Sequence, residues 1–383
     1  MNAPKLRFRG FNDEWKKTLL SNLMSFNNGI NADKDSYGYG RKFINVLDIL
    51  NNNSIKYDDI IGSVSVSQKV EDSNKVEYGD LLFLRSSETR EDVGKSSVYL
   101  DKIKFALFGG FVIRGKKQGE YHPYFLKLNL ESPRIRHEIG SKAGGSTRFN
   151  VSQSILGSIE VAMPSQNEQF KIAEFMNYFD RKIKLQQEKL ELLKEQKKGF
   201  MQKIFSQELR FKDRNGQVFS NWELKPLGEI IKVHSGRDYK HLDIGSIPVY
   251  GTGGYMLSVN KALSDKDAIG IGRKGSINQP QKLKAPFWTV DTLFYCIPRE
   301  SYDLNFIYLM FQYINWNKYD ESTGVPSLSK KTIAAIFCNI PCYEEQKMLG
   351  SFFNKIDERI ILESNKLTEL QNQKQAFAKQ MFI

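Results

Sequence analysis

The sequence predicts a mixed α/β (α+β) protein with a pseudo-twofold internal repeat, in which two compact domains are joined by two long antiparallel coiled-coil helices. Three observations predict it. Residues 164–205 align without a gap with residues 341–382, an offset of 177 that brings Pro164 onto Pro341, Glu168–Gln169 onto Glu345–Gln346 and Asp180 onto Asp357. Both stretches carry no proline after their first residue and place apolar residues at alternating steps of three and four, the pattern of a helix seam. Each half also opens alike: "LRFRGFNDEWKKTLLSNL" (6–23) is echoed by "LRFKDRNGQVFSNWELKPLGEI" (209–230), with Trp15 matching Trp222.

In order, the chain reads as a head over 1–23, a first variable domain over 24–163, a long helix over 164–206, a second head over 207–230, a second variable domain over 231–340 and a second long helix over 341–383. The variable parts share little sequence. Their strand signals are short runs ended by Gly, Asn or Asp, such as "DLLFLR", "FALFGGFVIRG", "SIPVYG" and "PFWTVDTLFYCI". The upstream ends of the helices match too, "STRFNVSQSILGSIEVAMP" (146–164) facing "TGVPSLSKKTIAAIFCNIP" (323–341).

Each helix is expected to be about 60 Å long at 1.5 Å per residue. The pairing residues are Ile183, Leu190, Leu193 and Phe200 on the first helix and Ile360, Leu367, Leu370 and Phe377 on the second. Polar residues stand at equivalent seam positions, Gln186 and Lys197 in one copy, Glu363 and Lys374 in the other. An antiparallel register setting Lys197 beside Glu363 would set Gln186 beside Lys374 and partner groups that are costly to bury alone.

Composition narrows the function. The 383 residues hold 56 Lys+Arg against 44 Asp+Glu, a net charge of +12 that suits a polyanionic partner, nucleic acid first. Cys296, Cys338 and Cys342 make no disulfide framework, and no Cys/His set has metal-ligand spacing, so no metal is expected and the thiols read as reduced and cytoplasmic. No signal region and no membrane-length apolar run is present.

One motif points to an enzyme. "AIGIGRKGSI" (268–277) contains Gly270-x-Gly272-x-x-Gly275, the spacing of a dinucleotide-binding turn, and Asp291 follows at a suitable distance. Such a site needs a helix directly after the glycines. "SINQPQKLKAP" carries Pro280 and Pro286 and no helical period, so that helix is not expected. Kinase, P-loop and base-methylation motifs are missing, and no catalytic residue is assigned.

The loop reads better as a polar, glycine-hinged turn facing DNA, with Arg273, Lys274 and Ser276 as contacts. Loops of like composition add Arg85, Ser86, Thr89, Arg90, Lys95, Lys142, Thr147 and Arg148 in the first domain. The second domain adds Arg237, Tyr239, Thr252, Tyr255, Thr323, Ser327 and Lys330.

The layout resembles the specificity subunit of a type I restriction–modification system. The likeness rests on both Trp-containing heads, the Ser-rich steps "NVSQSILGSIEVAMP" and "SLSKKTIAAIFCNIP", the Pro-x-x-x-Glu-Gln openings and the run "IPVYGTGGY", "IGIGRKGSI", "FWTVDTLFY". In the first domain "YGDLLFLRSSETR" and "FGGFVIRG" are only loose counterparts. The resemblance implies that each variable domain is a target recognition domain reading one half of a bipartite double-stranded DNA site. It implies helices that act as a ruler for the spacer, and repeated parts that dock two methyltransferase subunits, with motor-nuclease subunits joining. The chain itself would then be non-catalytic and bind no cofactor. S-adenosylmethionine, ATP and Mg would belong to the partners. The alternatives are a nucleotide-dependent enzyme built on Gly270–Gly275, a coiled-coil scaffold that reads no DNA, and the recognition part of a single-chain restriction–methylation enzyme.

Overall fold

The computed structural model describes residues 3–383. The chain forms two compact units, Met1–Leu185 with Leu367–Ile383, and Gln186–Lys366.

In the first unit a five-stranded sheet runs in the order Met24–Asn28, Val112–Lys117, Leu81–Leu84, Ser96–Tyr99, Ser54–Ile55. The central strand, "LLFL", is buried on both faces, as expected of an apolar run flanked by two other strands. Helix Pro123–Leu130 packs on this sheet, and a core of Trp15, Leu20, Phe83, Phe125, Ile139, Val161, Met176 and Phe382 fills the space beneath.

The second unit repeats the scheme. Its sheet runs Ile231–Ser235, Leu293–Pro298, Ala268–Gly272, Gln281–Leu283, with "AIGIG" as the buried inner strand. Helix Leu304–Tyr313 takes the place of Pro123–Leu130. The first turn of each is capped alike: Asp303 Oδ1 accepts from Phe306 N at 2.9 Å, and His122 Nδ1 accepts from Phe125 N at 3.3 Å. Burial pushes the His122 imidazole pKa down, with Lys117 adding to it, which keeps that ring nitrogen free to accept. Trp222, Leu227, Ile269, Phe306, Phe311, Trp316 and Phe353 lie in this core.

The heads are strands of the domains that follow them. Lys16–Leu19 pairs antiparallel with Glu160–Met163, and Glu223–Pro226 pairs with Phe337–Ile340. Each chain segment entering a unit is thus stitched to the strand that leads into a long helix.

Those helices span Gln166–Phe205 and Tyr343–Met381. Their partners run antiparallel within each unit. In the first, the Phe179 and Phe377 rings lie 5.5 Å apart and Lys374 bonds Asp180. In the second, Gln186 meets Glu363, Lys197 Nζ lies 2.5 Å from Asp357, and Phe200 packs 5.6 Å from Phe352. Of the expected pairing residues Leu190 is buried, Ile183, Leu193, Ile360, Leu367, Leu370 and Phe377 are half-buried, and Phe200 is 37% exposed.

The expected register is corrected. Lys197 meets Asp357 and the Gln312 carbonyl rather than Glu363, and Lys374 meets Asp180 rather than Gln186. Glu363 instead accepts from Gln186 Nε2 at 2.7 Å and from Lys189 Nζ at 2.6 Å. The physical reason is reciprocity. Asp180 and Asp357 are repeat equivalents, as are Lys197 and Lys374, so one register satisfies both lysines at once and leaves the amide to its carboxylate. Hydrogen bonds from Gln186 and Lys189 hold the Glu363 carboxyl down to about 2.

The "Glu-Gln" that opens each helix proves to be a clamp. Glu168, 1% exposed, takes a two-pronged ion pair from Arg7 at 2.8 and 2.6 Å; Glu345, fully buried, takes one from Arg210 at 3.4 and 2.7 Å. Gln169 and Gln346 donate back to Pro164 O and Pro341 O, both at 2.9 Å, and accept from His122 N and Asp303 N. The main partner of Glu345 is the guanidinium of the head.

Candidate nucleic-acid interface

In the second unit the strand Ala268–Gly272 ends in a turn. Gly272 is required there, because a Cβ would lie 2.3 Å from Ser276 O, and Gly275 adopts φ +94°. The chain then enters Gln281–Leu283, antiparallel to the strand it left. No helix lies in 273–280, so the strand-to-helix turn of a dinucleotide site is not formed.

The turn is instead bonded to residues 326–328. Gly275 N donates to Pro326 O, Leu328 N donates to Arg273 O at 2.9 Å, and Lys274 bridges Ser327. Asp320 ties the neighbouring loop by accepting from Ser322 N and Ser327 N at 3.0 and 2.9 Å, and these backbone donors, Ser327 foremost, hold its carboxyl below the usual range. Glu321 ties the other end of the loop by accepting from Ser329 Oγ and Thr332 Oγ1.

The result is a concavity of about 820 Å³ lined by Arg273, Lys274, Thr323, Ser327 and Lys330, together with Ser235, Phe294 and Glu321. Among the described residues Arg273, Lys274 and Lys330 have no ion-pair partner; Arg273 stands 5.9 Å from the Phe294 ring. Five residues chosen from sequence therefore share one surface. Thr252 adjoins it, its hydroxyl 3.9 Å from where a Gly275 Cβ would be, and Ser276 is half-buried in the turn. Tyr255 is exposed on the neighbouring hairpin, its hydroxyl 3.2 Å from Ser258. Arg237 is exposed and its backbone bonds Thr289 and Trp288, while Tyr239 is half-buried against the Val249–Trp288 core. Burial, with Lys232 and Lys330 nearby, lowers the pKa of His234, which stacks 4.8 Å from Tyr295.

The first unit builds an equivalent frame from different side chains. Val151 N donates to Arg85 O at 3.0 Å, and residue 151 is the repeat equivalent of 328. "RSS" therefore stands where "RKG" stands. Ser86–Ser87 pairs with Phe149–Asn150, and Ser86 Oγ meets the Asn150 carbonyl. Arg90 lies 4.7 Å over the Phe149 ring, and Arg85 Nη1 donates to Gly110 O at 3.2 Å. Thr147 and Arg148 project from a tight turn whose Gly145 has φ +113° and no room for a Cβ, and both are exposed. Arg85, Ser86, Thr89, Arg90, Thr147 and Arg148 thus lie in one loop cluster. Lys95 is drawn to Asp92 at 2.5 Å, and Thr89 also bonds Asp92. Lys142 sits in the last turn of helix Pro133–Lys142, bonded to Glu138 and Ser158, outside the loop.

The sequence missed the aromatic plates Phe149 and Phe294 and the loop anchors Asp320 and Glu321. Their signal, an aromatic or acid beside a basic loop, is too common to select. Among the described residues no group of three or more His, Cys, Asp or Glu could hold a metal ion, and no helix is long and apolar enough to cross a membrane.

Comparison with known proteins locates these units. The family described as type I restriction modification DNA specificity domain is matched over residues 12–195 and again over 219–372. A Methanocaldococcus jannaschii chain assigned as the type I restriction enzyme MjaX specificity subunit is 23% identical, covering 97% of this chain and 94% of its own length. The MjaVIII specificity subunit of the same organism is 28% identical over 30% of this chain and 28% of its own. In fold, the chain is similar to the S subunit of a type I restriction–modification system from M. genitalium, at TM-score 0.68 and 20% identity, with 100% and 99% of the two chains covered. It is also similar, at TM-score 0.53 and 12% identity over 98% and 99%, to a chain solved in work on complex assembly and conformational transition of the type I R-M system.

Proposed function

This chain belongs to the type I restriction modification DNA specificity family, and on that premise we propose that its two units read the two halves of one asymmetric, bipartite double-stranded DNA target. One observation carries the reading. The same backbone frame, Leu328 N to Arg273 O in one unit and Val151 N to Arg85 O in the other, presents different side chains to solvent. A shared frame argues for a shared task, and unlike side chains argue for unlike base sequences.

Unpaired cations on these loops bind phosphates, while Arg, Lys, Ser and Thr reach base edges. The long helices set the spacer between the half-sites. The repeated frame of head strand, Arg–Glu clamp and helix docks methyltransferase subunits, one for each copy, and motor-nuclease subunits join that core. The chain directs chemistry without performing it; S-adenosylmethionine, ATP and Mg act in the partners. The M. jannaschii relatives are named as specificity subunits, which supports this reading.

Methylome sequencing of cells with and without the chain tests it. Loss of methylation at one bipartite motif is expected. An unchanged methylome in cells holding the partner methyltransferase would defeat the proposal.

A further inference from the structure

Gln186 and Glu363 are repeat equivalents, separated by the same 177 residues as every other matched pair, and they meet each other in the seam. This position is therefore its own counterpart. Both residues are buried, at 7% and 4% exposure. Gln186 Nε2 donates to the Glu363 carboxylate at 2.7 Å and to its backbone carbonyl at 2.9 Å, and Lys189 and Arg359 add bonds at 2.6 and 3.1 Å.

The other polar seam positions do not distinguish one helix from the other. Asp180 pairs with Lys374 and Asp357 with Lys197. If two copies of the first helix paired, Asp180 would meet Lys197; if two copies of the second paired, Asp357 would meet Lys374. Charge is matched in every case. Several apolar positions are equally permissive, since Ile183, Leu190 and Phe200 have Ile360, Leu367 and Phe377 as equivalents, whereas Met176 and Phe179 have Phe353 and Ile356. Among the described polar seam residues the discrimination falls on one site.

We infer that the Gln186–Glu363 pair selects pairing of the unlike helices and disfavours pairing of two second helices from separate copies of this chain. A like pairing of second helices would set two carboxylates against each other in a buried seam and remove the amide that donates to one of them. A like pairing of first helices would set amide against amide, which is tolerated but loses the charge-assisted bond. The selection goes beyond the DNA-reading proposal and holds without it. Its consequence within that proposal is that two different recognition units stay together, so the target remains asymmetric.

The full-length chain can report all three pairings. Wild type presents Gln–Glu, Glu363→Gln presents Gln–Gln and Gln186→Glu presents Glu–Glu. Thermal unfolding at neutral pH should rank them in that order, with Gln186→Glu lower than wild type by on the order of 5 °C, the effect of losing a buried charge-assisted bond in a domain of this size. The deficit should narrow as pH falls below about 5, where one of two facing carboxyls takes a proton. The double exchange Gln186→Glu with Glu363→Gln should recover most of it, because Lys366, the equivalent of Lys189, is then placed to serve the relocated carboxylate. A Gln186→Glu chain as stable as wild type would overturn the inference. So would a deficit that the double exchange leaves untouched, since that would trace to local packing rather than to pairing.

Discussion

Replacing Arg210 should be among the costliest single changes in the second unit. Its guanidinium holds Glu345 through Nη2–Oε2 at 2.7 Å and Nε–Oε1 at 3.4 Å, and it also donates to Ser220 O at 2.7 Å. The Glu345 side chain is 1% exposed and the Arg210 side chain 14%. Removing the cation leaves a carboxylate that water cannot reach, with only the Trp222 indole N–H, among the described residues, still donating to it at 3.1 Å. Breaking a buried pair from one side costs about 3–5 kcal/mol. In a unit of this size each kcal/mol moves the midpoint by roughly 2–4 °C, so Arg210→Met should lower the melting transition by about 6–20 °C. Methionine keeps most of the stem volume and isolates the charge. Differential scanning calorimetry would read the shift. The companion Arg210→Met with Glu345→Gln removes the stranded charge and should recover a large part of the loss. A single variant within about 1 kcal/mol of wild type, the range of a surface pair, would refute the clamp argument.

Three further outcomes follow from the same geometry. Glu363 has its pKa lowered from 4.5 to about 2, so the stability it contributes is present above about 4.5 and is lost as pH falls toward 2; the stability gap between wild type and Glu363→Gln, measured by urea unfolding, should close over that interval. Among the described residues Trp15 Nε1 is buried with no partner, whereas Trp222 Nε1 bonds Glu345. Trp222→Phe should therefore cost about 1 kcal/mol more than Trp15→Phe, and equal costs would contradict the pairing. If Arg273 and Lys274 each neutralise a phosphate, the double alanine variant should lower the slope of log affinity against log salt by about 1.8 in filter-binding titrations.

The long helices were legible because duplication and heptad spacing are properties of the chain itself. The inner strand "LLFL" was legible for its apolar run. The head strands were not, since "KKTL" and "ELKP" lie mostly at the surface and show no alternation. The register misled because lysine is long enough to choose among several carboxylates, and Asp357 and Asp180 won over the seam groups. The Arg7–Glu168 and Arg210–Glu345 clamps join residues 161 and 135 apart, a separation at which sequence pattern says nothing about contact. In the candidate interface, loop composition found the basic residues of the second unit. It could not show that "LRSS" occupies the place of "GRKG", because the equivalence is carried by backbone hydrogen bonds that any side chain permits.

The claim that two unlike half-sites are read on one target is tested most directly by a hydroxyl-radical footprint of the chain with its methyltransferase on methylated target DNA. Two protected blocks of different sequence, separated by an unprotected spacer, are predicted, with Arg273→Ala and Lys274→Ala together weakening one block only. A single continuous, symmetric block, or equal weakening of both, would contradict it.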